Sequence, residues 1–429
     1  MKIKLLNTSQ TNFNKKLNNH LSFKQVNYAS VEKSVDKILK KIGESGDSSL
    51  RMLIEKYDKT YYRKISDSIV TKKEISEAYS ETPKKIISNL RKAMRNIKTF
   101  SKQQKLKSWS IKVKGSRLGE KVTPINSVGI YVPGGKASYP STVLMNAIPA
   151  QVAGVKDIIM ACPPVAGKLN PLVLIAADLC SVNKIYKFGG AHAIGALAFG
   201  TETIKPVDKI VGPGNIYVAT AKKKVYGTVG IDSFAGPSEV LIIADQNACP
   251  ELVALDMFAQ AEHDELAQAI LMTSSKKLIN SVSLKINSLI RNQSRKDIIE
   301  KSLRARGLFI KVNNVKEIIS IANEIAPEHL EIFGYERIKL ETKIDNAGAI
   351  FIGENSPEVF GDYCAGPNHV LPTSGSARYA SPLGVYDFLK RTSLMKISPA
   401  HSRELSITAS LLAECEGLTA HSQSAKLRK

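Results

Sequence analysis

Gln260 and His263 lie three residues apart in a segment, residues 250–269, whose apolar residues recur at helical spacing. On a helix, side chains three residues apart project from the same face, so a carboxamide and an imidazole would lie side by side. Together they could supply half of a metal site. A core histidine hydrogen-bonded to its neighbour would give the same pattern. These two residues alone leave both interpretations open.

Glu328 and His329 place a carboxylic acid directly beside an imidazole. Pro327 precedes them, and proline fits the first turn of a helix, so the sequence predicts that this pair lies at a helix start. Side chains of these types could act on a substrate as general acid and base. Such pairs are also common on protein surfaces, so the pair by itself does not establish catalysis.

The elements that would position these residues begin near residue 121, where short apolar segments start to alternate with helical ones. This alternation predicts a doubly wound domain with a parallel sheet, whose ligands bind at the carboxyl ends of the strands. Three glycine-containing turns fall at such ends, which favours a nucleotide or phosphate site, although plain strand-to-helix turns explain them equally well. None matches G-x-G-x-x-G. The turns lie at residues 133–135, 189–190 and 212–214.

A second α/β unit is predicted from about residue 238. Its strands are expected at 239–244, 269–273, 308–312 and 347–353, with helices at 276–303 and 315–325 and a helical tail at 402–415. Residues 31–100 predict three helices, the first of them ended by Gly43 and Gly46. Residues 1–30 are polar and predict an extended arm or docking segment.

Length and composition limit the class of protein. At 429 residues the chain exceeds one ordinary core, and a hydrophobic fraction of 43% can fill two or three domains. No apolar run approaches the ~20 residues of a membrane helix, and no signal-peptide core follows the first lysines. The five cysteines are scattered, which predicts neither a disulfide framework nor a thiolate zinc site. We therefore expect a soluble protein of the reducing cytoplasm.

The net charge of +22 is concentrated in the first 120 residues, which hold 28 Lys and Arg against 11 Asp and Glu. A basic region invites a nucleic-acid interpretation. However, nothing in it resembles an aromatic-studded sheet or a helix-turn-helix. A solvated surface rich in lysine explains the charge, and we expect no nucleic-acid partner and no membrane partner.

Seven segments together resemble the histidinol dehydrogenase family and occur in the family's order. Any one of them could arise by chance, but seven in order form a specific signature. They run from residue 129 to residue 421, whereas the first 120 residues agree with the family only in length and helical character. The segments are 129–135 (GIYVPGG), 211–215 (VGPGN), 235–239 (AGPSE), 260–264 (QAEHD), 326–330 (APEHL), 366–373 (GPNHVLPT) and 416–421 (EGLTAH).

The resemblance implies a four-electron oxidation that ends histidine biosynthesis. L-histidinol passes through histidinaldehyde to L-histidine, two NAD⁺ are reduced and one water is consumed. His329 would take the hydroxyl proton, and Glu328 would activate the water that adds to the aldehyde. One zinc ion per subunit would orient the substrate, because mixed nitrogen and oxygen ligation suits a divalent ion. Carried over by position, the zinc ligands are Gln260, His263, Asp362 and His421.

The same resemblance implies further contacts to the substrate and the cofactor. Substrate contacts would come from the zinc ligands, from His329 and from Ser238, Glu416 and, more weakly supported, His369. NAD contacts would come from Tyr131, His192 and Asn215. His192 departs from the family, which usually has glutamine there, and an imidazole lacks the paired donor and acceptor of an amide.

The family architecture implies a homodimer of two Rossmann-like domains whose active sites are shared between subunits. On that basis His421, close to the C-terminus, would reach the site of a second copy. The expected division is an N-terminal arm, a discontinuous first Rossmann-like domain with the metal and catalytic residues, an inserted NAD-binding Rossmann-like domain, and a C-terminal dimerisation tail. Their bounds are residues 1–28, residues 29–129 with 238–383, residues 130–237, and residues 384–429.

Two other classes of protein remain open from the residues themselves. A zinc-dependent hydrolase would use two histidines, an aspartate and a glutamate equally well, but leaves the glycine turns of residues 129–215 without a role. A non-enzymatic copy that binds nucleic acid would explain the basic first third and little else. The dehydrogenase accounts for the most residues.

Overall fold

The computed structural model describes residues 1–22, 28–134, 139–233, 236–335 and 338–428. Gly135 and Ala235, which belong to two of the family-like segments, lie outside these ranges. Within them, no helix combines the length and the apolar character needed to cross a bilayer.

Fourteen strands form three sheets within the described residues. In chain order the strands are β1 (Lys4–Asn7), β2 (Trp109–Val113), β3 (Ser116–Pro124), β4 (Ser127–Tyr131), β5 (Asp157–Ala161), β6 (Lys184–Tyr186), β7 (Lys209–Val211), β8 (Gly230–Ile231), β9 (Glu239–Ala244), β10 (Gln268–Thr273), β11 (Leu308–Lys311), β12 (His329–Phe333), β13 (Ala349–Ile352) and β14 (Leu389–Lys396).

The described helices lie between and around these strands. In chain order they are α1 (Phe13–Leu21), α2 (Tyr28–Asp58), α3 (Lys72–Glu81), α4 (Lys84–Gln103), α5 (Pro140–Ala153), α6 (Pro171–Leu179), α7 (Gly190–Phe199), α8 (Ile216–Val225), α9 (Pro250–Ala261), α10 (Lys276–Leu289), α11 (Lys296–Arg306), α12 (Val315–Ile325), α13 (Glu358–Tyr363), α14 (Pro399–Cys415) and α15 (Thr419–Lys426).

Two parallel sheets confirm the doubly wound α/β prediction. The larger has the order β1-β11-β10-β9-β12-β13, and the smaller has the order β6-β5-β4-β7-β8. Every residue of β9 and β10 is buried, because helices cover both faces of the sheet and leave no side of these strands for water. The candidate catalytic residues described below lie at the larger sheet, and the glycine-containing turns lie at the smaller one.

The N-terminal segment joins the larger sheet. β1 pairs in parallel with β11, with Leu6 opposite Ile310, and α1 buries Phe13 and Leu17 on the same core. The expectation of an arm or docking segment for residues 1–30 is therefore replaced by an edge strand and a short helix. The polar composition hid this strand, because it has only four residues and one fully buried side chain.

Helix α2 confirms the predicted break at Gly46. Gly46 has φ 45° and ψ −127°, a conformation that glycine adopts at little cost and other residues avoid. A Cβ there would also lie against the Glu202 carboxylate, which accepts the N–H of Asp47 at 2.7 Å. The break turns the second half of α2 so that it packs along α7.

Helices α2 to α4 pack on the smaller sheet. Val35, Ile38 and Ile42 of α2 share a core with the residues of α7 and α8, and Ile87 and Ile97 share one with α5 and α6. These contacts group residues 28–103 with β4–β8, whereas the expected division grouped residues 29–129 with 238–383. A basic, amphipathic helix gives no signal of which sheet it covers.

A third, antiparallel sheet has the order β14-β3-β2 and was not predicted from the sequence. Its strands are largely exposed, so they lack the apolar alternation by which half-buried strands are recognised. In the chain, β3 leads into β4 of the smaller sheet, and β14 leads into the C-terminal helices. Of these, α14 and α15 form a hairpin that exposes Ile407, Leu411 and Leu412.

Candidate active site

The candidate catalytic residues meet at the amino edge of the larger sheet. His329 begins β12 and Glu239 begins the neighbouring strand β9, and in register His329 lies opposite Val240. α9 runs back from the carboxyl end of β9 and therefore brings its last turn, with Gln260, to the same edge. The predicted helix of residues 250–269 thus ends at Ala261, because β10 starts at Gln268 and the chain has to turn between them.

Glu328 and His329 do not start a helix, which corrects the prediction made from Pro327. They lead into β12, and both side chains are buried. Ala326 before them adopts φ 47°, which closes α12 with a left-handed residue and sends the chain directly into the sheet. Burial of both groups argues against the surface interpretation of the pair.

The imidazole of His329 is surrounded by polar groups. Its Nδ1 lies 3.0 Å from the side-chain amide of Gln260, 3.2 Å from the carbonyl oxygen of Glu239 and 3.5 Å from Glu358 Oε2. Its Nε2 lies 3.6 Å from Asp362 Oδ1, beyond hydrogen-bonding distance, and has no hydrogen-bond partner. A buried nitrogen left open in this way is available to a ligand.

Three carboxyl groups set the charge state of His329. Burial alone would lower the pKa of the imidazole, but Glu358, Glu328 and Asp362 outweigh it and raise the pKa well above 6.5. The ring is also covered by Phe351, with ring centroids 6.0 Å apart. His329 is therefore a strong proton acceptor in its neutral form, because its cation is stabilised where it forms.

Glu328 is held by the backbone of the neighbouring strand. Its Oε2 accepts the N–H of Glu239 at 2.9 Å, and burial raises the pKa of its carboxyl group to about 7. Glu239 itself accepts the N–H of Ser374 at 3.2 Å, and burial raises its pKa to about 7 as well. A carboxyl group with such a pKa can take or give a proton near neutral pH.

Gln260 is fully buried, and its side-chain amide lies between Glu239 of β9 and Glu358 of α13. With its nitrogen turned inwards, the amide donates to Glu239 O and Glu358 Oε2, both at 3.1 Å. This orientation satisfies the amide nitrogen, whereas the opposite one faces oxygen toward acceptors. The carboxamide oxygen is then free of these contacts, as ligation of a cation requires.

His263 and Asp362 lie beside this group. Burial lowers the pKa of His263, while the charge of Asp362 opposes that shift. Burial would raise the pKa of Asp362, but His329, His369 and His263 together hold it below its ordinary value. His369 donates from Nδ1 to the Asp362 carbonyl oxygen at 2.9 Å and so fixes the end of α13.

The other two residues expected at the metal and the substrate lie elsewhere on this chain. Glu416 and His421 are both exposed, on the turn and the helix that follow α14. Among the described residues, no group of three or more His, Cys, Asp or Glu side chains is arranged to hold a metal ion. The donors that one chain brings together, Gln260, His263 and Asp362, have the chemistry zinc accepts but form an incomplete set. Ser238, one residue before Glu239, is half-buried at the same edge.

The three residues expected at the cofactor line the glycine turns of the smaller sheet. The hydroxyl oxygen of buried Tyr131 accepts the N–H of Gly190 at 3.1 Å. Asn215 caps α8 through its side-chain oxygen, which accepts from Tyr217 N at 3.0 Å and Val218 N at 3.2 Å. His192 is buried, with Nε2 3.0 Å from Asp58 Oδ2.

A cavity of about 270 Å³ joins the two domains beside His263. Pro133, Gly134 and Tyr139 approach it from the smaller sheet, and Asp264, Glu265 and Arg295 from the larger. A ligand held at the carboxyl end of β4 would therefore face one bound near His263.

Sequence reasoning did not single out Glu239 and Glu358. Glu358 precedes Asp362 by four residues on α13, so both side chains share a helical face. That spacing was a usable signal, but a helix of six residues is too short to be recognised from periodicity. Glu239 ends the family-like segment 235–239 and begins a strand that is otherwise apolar, and its position there gave no sign of burial.

The fold and the site together define an α/β protein of two parallel-sheet domains with a buried acid–imidazole centre at their junction. The sequence profile of the histidinol dehydrogenase family matches residues 21–429. The chain belongs to the histidinol dehydrogenase family, which confirms the resemblance seen in the seven segments.

Three relatives illustrate the similarity. The histidinol dehydrogenase of Nitrosospira multiformis is 47% identical over 99% of this chain and 97% of its own length. That of Nitrosomonas europaea is 48% identical over 100% of this chain and 99% of its own length. The crystal structure of histidinol dehydrogenase from Elizabethkingia anophelis superposes with a TM-score of 0.93 at 35% identity, covering 99% of this chain and 98% of that one.

Proposed function

We propose that this chain oxidises L-histidinol to L-histidine through histidinaldehyde, as an NAD- and zinc-dependent dehydrogenase of histidine biosynthesis. Membership of the family supports the reaction. The observation that carries it to particular residues is the buried His329, whose open Nε2 faces Asp362 while Glu328 is held beside it.

In the first oxidation, His329 takes the proton of the substrate hydroxyl at Nε2. Loss of that proton makes the carbon a far better hydride donor, and NAD⁺ supplies the hydride acceptor. The carboxyl groups of Glu358, Glu328 and Asp362 stabilise the imidazolium that results. The alcohol carbon has then lost one hydride and its oxygen one proton, which gives the aldehyde.

In the second oxidation, Glu328 takes a proton from the water that adds to the aldehyde. A carboxyl group with a pKa of about 7 can hold that proton and release it again near neutral pH. The adduct, which has already given one proton to Glu328, loses a hydride to the second NAD⁺ and one further proton and becomes the carboxylate. One water is consumed and two NAD⁺ are reduced in the whole sequence.

The metal would be held by Gln260, His263 and Asp362 of one subunit and by the His421 of a second copy. Held by these residues, a zinc ion would bind the amine and imidazole nitrogens of the substrate and so help to orient it. This arrangement would give the exposed His421 and Glu416 a role and would add a fourth donor to the three that one subunit supplies. The exposed leucines and isoleucine of α14 suit burial in a homodimer.

NADH absorbance with zinc-loaded protein, L-histidinol and NAD⁺ tests the proposal. Two NADH per histidinol, with histidine as product, are expected. One NADH per histidinol would limit the chain to alcohol oxidation. No NADH at saturating NAD⁺, with zinc bound, would overturn the proposal and return the hydrolase and binding-protein interpretations.

A further inference from the structure

A pair of acidic side chains, Asp256 and Glu331, lies behind the catalytic residues and takes no part in the chemistry above. Glu331 is on β12, two residues after His329, and its side chain is completely buried. Asp256 is on α9, one turn before Gln260, and is half-buried. Their carboxyl groups contact each other between the helix and the sheet.

The hydrogen bonds of Glu331 require a proton on the pair. Its Oε1 accepts the backbone N–H of Glu358 at 2.8 Å. Its buried Oε2 has no hydrogen-bond donor, because the group it meets is another carboxyl group. Two carboxylates in contact away from water repel each other, whereas one shared proton converts the contact into a hydrogen bond.

The pair joins the three elements that carry the site. Asp256 belongs to the helix of Gln260, Glu331 to the strand of His329, and the Glu358 N–H to the helix of Asp362. The titratable groups that face Glu331 are Asp256 from α9, Glu358 from α13 and His329 from its own strand. A change at this contact therefore moves α9, β12 and α13 relative to one another.

We propose that Asp256 and Glu331 are positioning residues, which share one proton and so hold α9, β12 and α13 in the placement that the metal and the substrate need. This inference rests on the proposed function for its kinetic readout, but its stability readout is independent of activity. Burial, with repulsion from Asp256, raises the pKa of Glu331 to about 8, which agrees with a proton retained in the folded protein.

The kinetic and metal-binding test compares Glu331→Gln with Glu331→Met. Glutamine supplies the missing donor through its amide and still accepts the Glu358 N–H, so kcat and the rate of zinc release to a chelator should stay within about twofold of the parent. Methionine has a similar size but can do neither. We expect at least a tenfold loss in kcat and at least tenfold faster zinc release.

Asp256→Asn completes the test from the other side, since its amide can donate to Glu331 and should also leave both rates unchanged. Glu251→Gln is the matched control, because Glu251 lies on the same helix but pairs with Lys285 on the surface. If Glu331→Gln were as impaired as Glu331→Met, the charge of Glu331 and not its hydrogen bond would matter, and the proposal would fail.

Thermal unfolding without substrate or cofactor tests the shared proton itself. A carboxyl group that keeps its proton to about pH 8 when folded, and releases it near pH 4.5 when unfolded, destabilises the protein as pH rises between these values. Glu331→Gln has no ionisable group at this position, so it should not lose stability with rising pH for this reason. The Tm of the variant relative to the parent should rise by about 2 to 5 °C from pH 5 to pH 8.

The two readouts separate the possible failures. A Tm difference that does not change with pH would overturn the shared proton, whatever the activity. A parent protein that forms no NADH from histidinol would overturn the proposed function, while zinc release and Tm would still decide the role of Asp256 and Glu331.

Discussion

His192 Nε2 lies 3.0 Å from Asp58 Oδ2, so the first turn of α7 is bound to the last residue of α2. The same carboxylate oxygen accepts the N–H of Gly189 at 3.1 Å, and Tyr57 stacks on the imidazole with centroids 6.0 Å apart. The other ring nitrogen packs against Gly190. Contacts within the protein therefore occupy the imidazole of His192, at the turn where we expect NAD to bind.

His192→Gln is expected to lower the KM for NAD by about threefold to tenfold and leave kcat within about twofold, the effect of one added hydrogen bond. A carboxamide can donate to Asp58 and still present an acceptor to the cofactor, whereas the second nitrogen of this imidazole lies against Gly190. Initial rates at varied NAD⁺ measure this. His192→Ala is the control and should raise KM; a change confined to kcat would contradict a role in cofactor binding.

His329→Ala should lower kcat for histidinol oxidation by about 10³-fold at neutral pH, within the usual contribution of a general base. Zinc should remain bound, because His329 is not among the proposed ligands. Steady-state rates and metal analysis on the same sample check both statements. Normal turnover by this variant would remove His329 from the mechanism, and loss of zinc would make it a structural part of the metal site.

Glu328→Gln should slow the oxidation of histidinaldehyde more than that of histidinol, because only the aldehyde step needs activated water. In the parent protein this step should accelerate as pH rises through about 7, since burial raises the pKa of Glu328 to that value and the base must be ionised. Rates with the aldehyde as substrate between about pH 5.5 and about pH 8.5 test this dependence. If Glu328→Gln showed the same rise in rate with pH, that rise would have to come from the ionisation of another group.

His421→Ala and Glu328→Ala proteins should each form no histidine alone and should recover histidine formation when mixed. In a hybrid dimer one site combines an intact Glu328 with an intact His421 of the other copy, so random exchange restores about a quarter of parental activity. Subunit exchange has to be verified with differently tagged chains. No recovery in verified hybrids would show that His421 serves its own subunit or none.

The sequence predicted the parallel α/β architecture well, because β4, β9 and β10 are buried on both faces and appear as short apolar runs between helical segments. The break at Gly46 was equally clear, since glycines interrupted an otherwise continuous helical pattern. These features depend on local patterns of a few residues, which a single sequence displays directly.

The features that could not be predicted from the sequence depend on contacts between segments that lie far apart in the chain. β1 pairs with β11 about three hundred residues later, and β14 pairs with β3, with Leu394 opposite Gly119. Neither pairing leaves a local pattern. Pro327 predicted a helix for the same reason: its preference for a first turn is local, whereas the pairing of β12 with β9 that overrides it is not.

The residues of the candidate site also fall into two groups, those that sequence motifs indicated and those that only the structure revealed. Glu328, His329, Gln260, His263 and Asp362 could be chosen from motifs, and the structure brings them to one edge of the sheet. Glu239 appeared only as the last residue of the family-like segment 235–239, and Glu358 and the Asp256–Glu331 contact belong to no motif. They became visible only through burial and through the hydrogen bonds that burial demands.

The edge strand β1 also sets an order of events during synthesis. Its partner β11 leaves the ribosome about three hundred residues after it, whereas β4 to β8 are all complete by Ile231. The smaller sheet can therefore assemble while the larger one still lacks most of its strands. Until residue 311 has emerged, Leu6 has no strand to pair with, so the nascent chain has to carry its first apolar segment unpaired and exposed to chaperones.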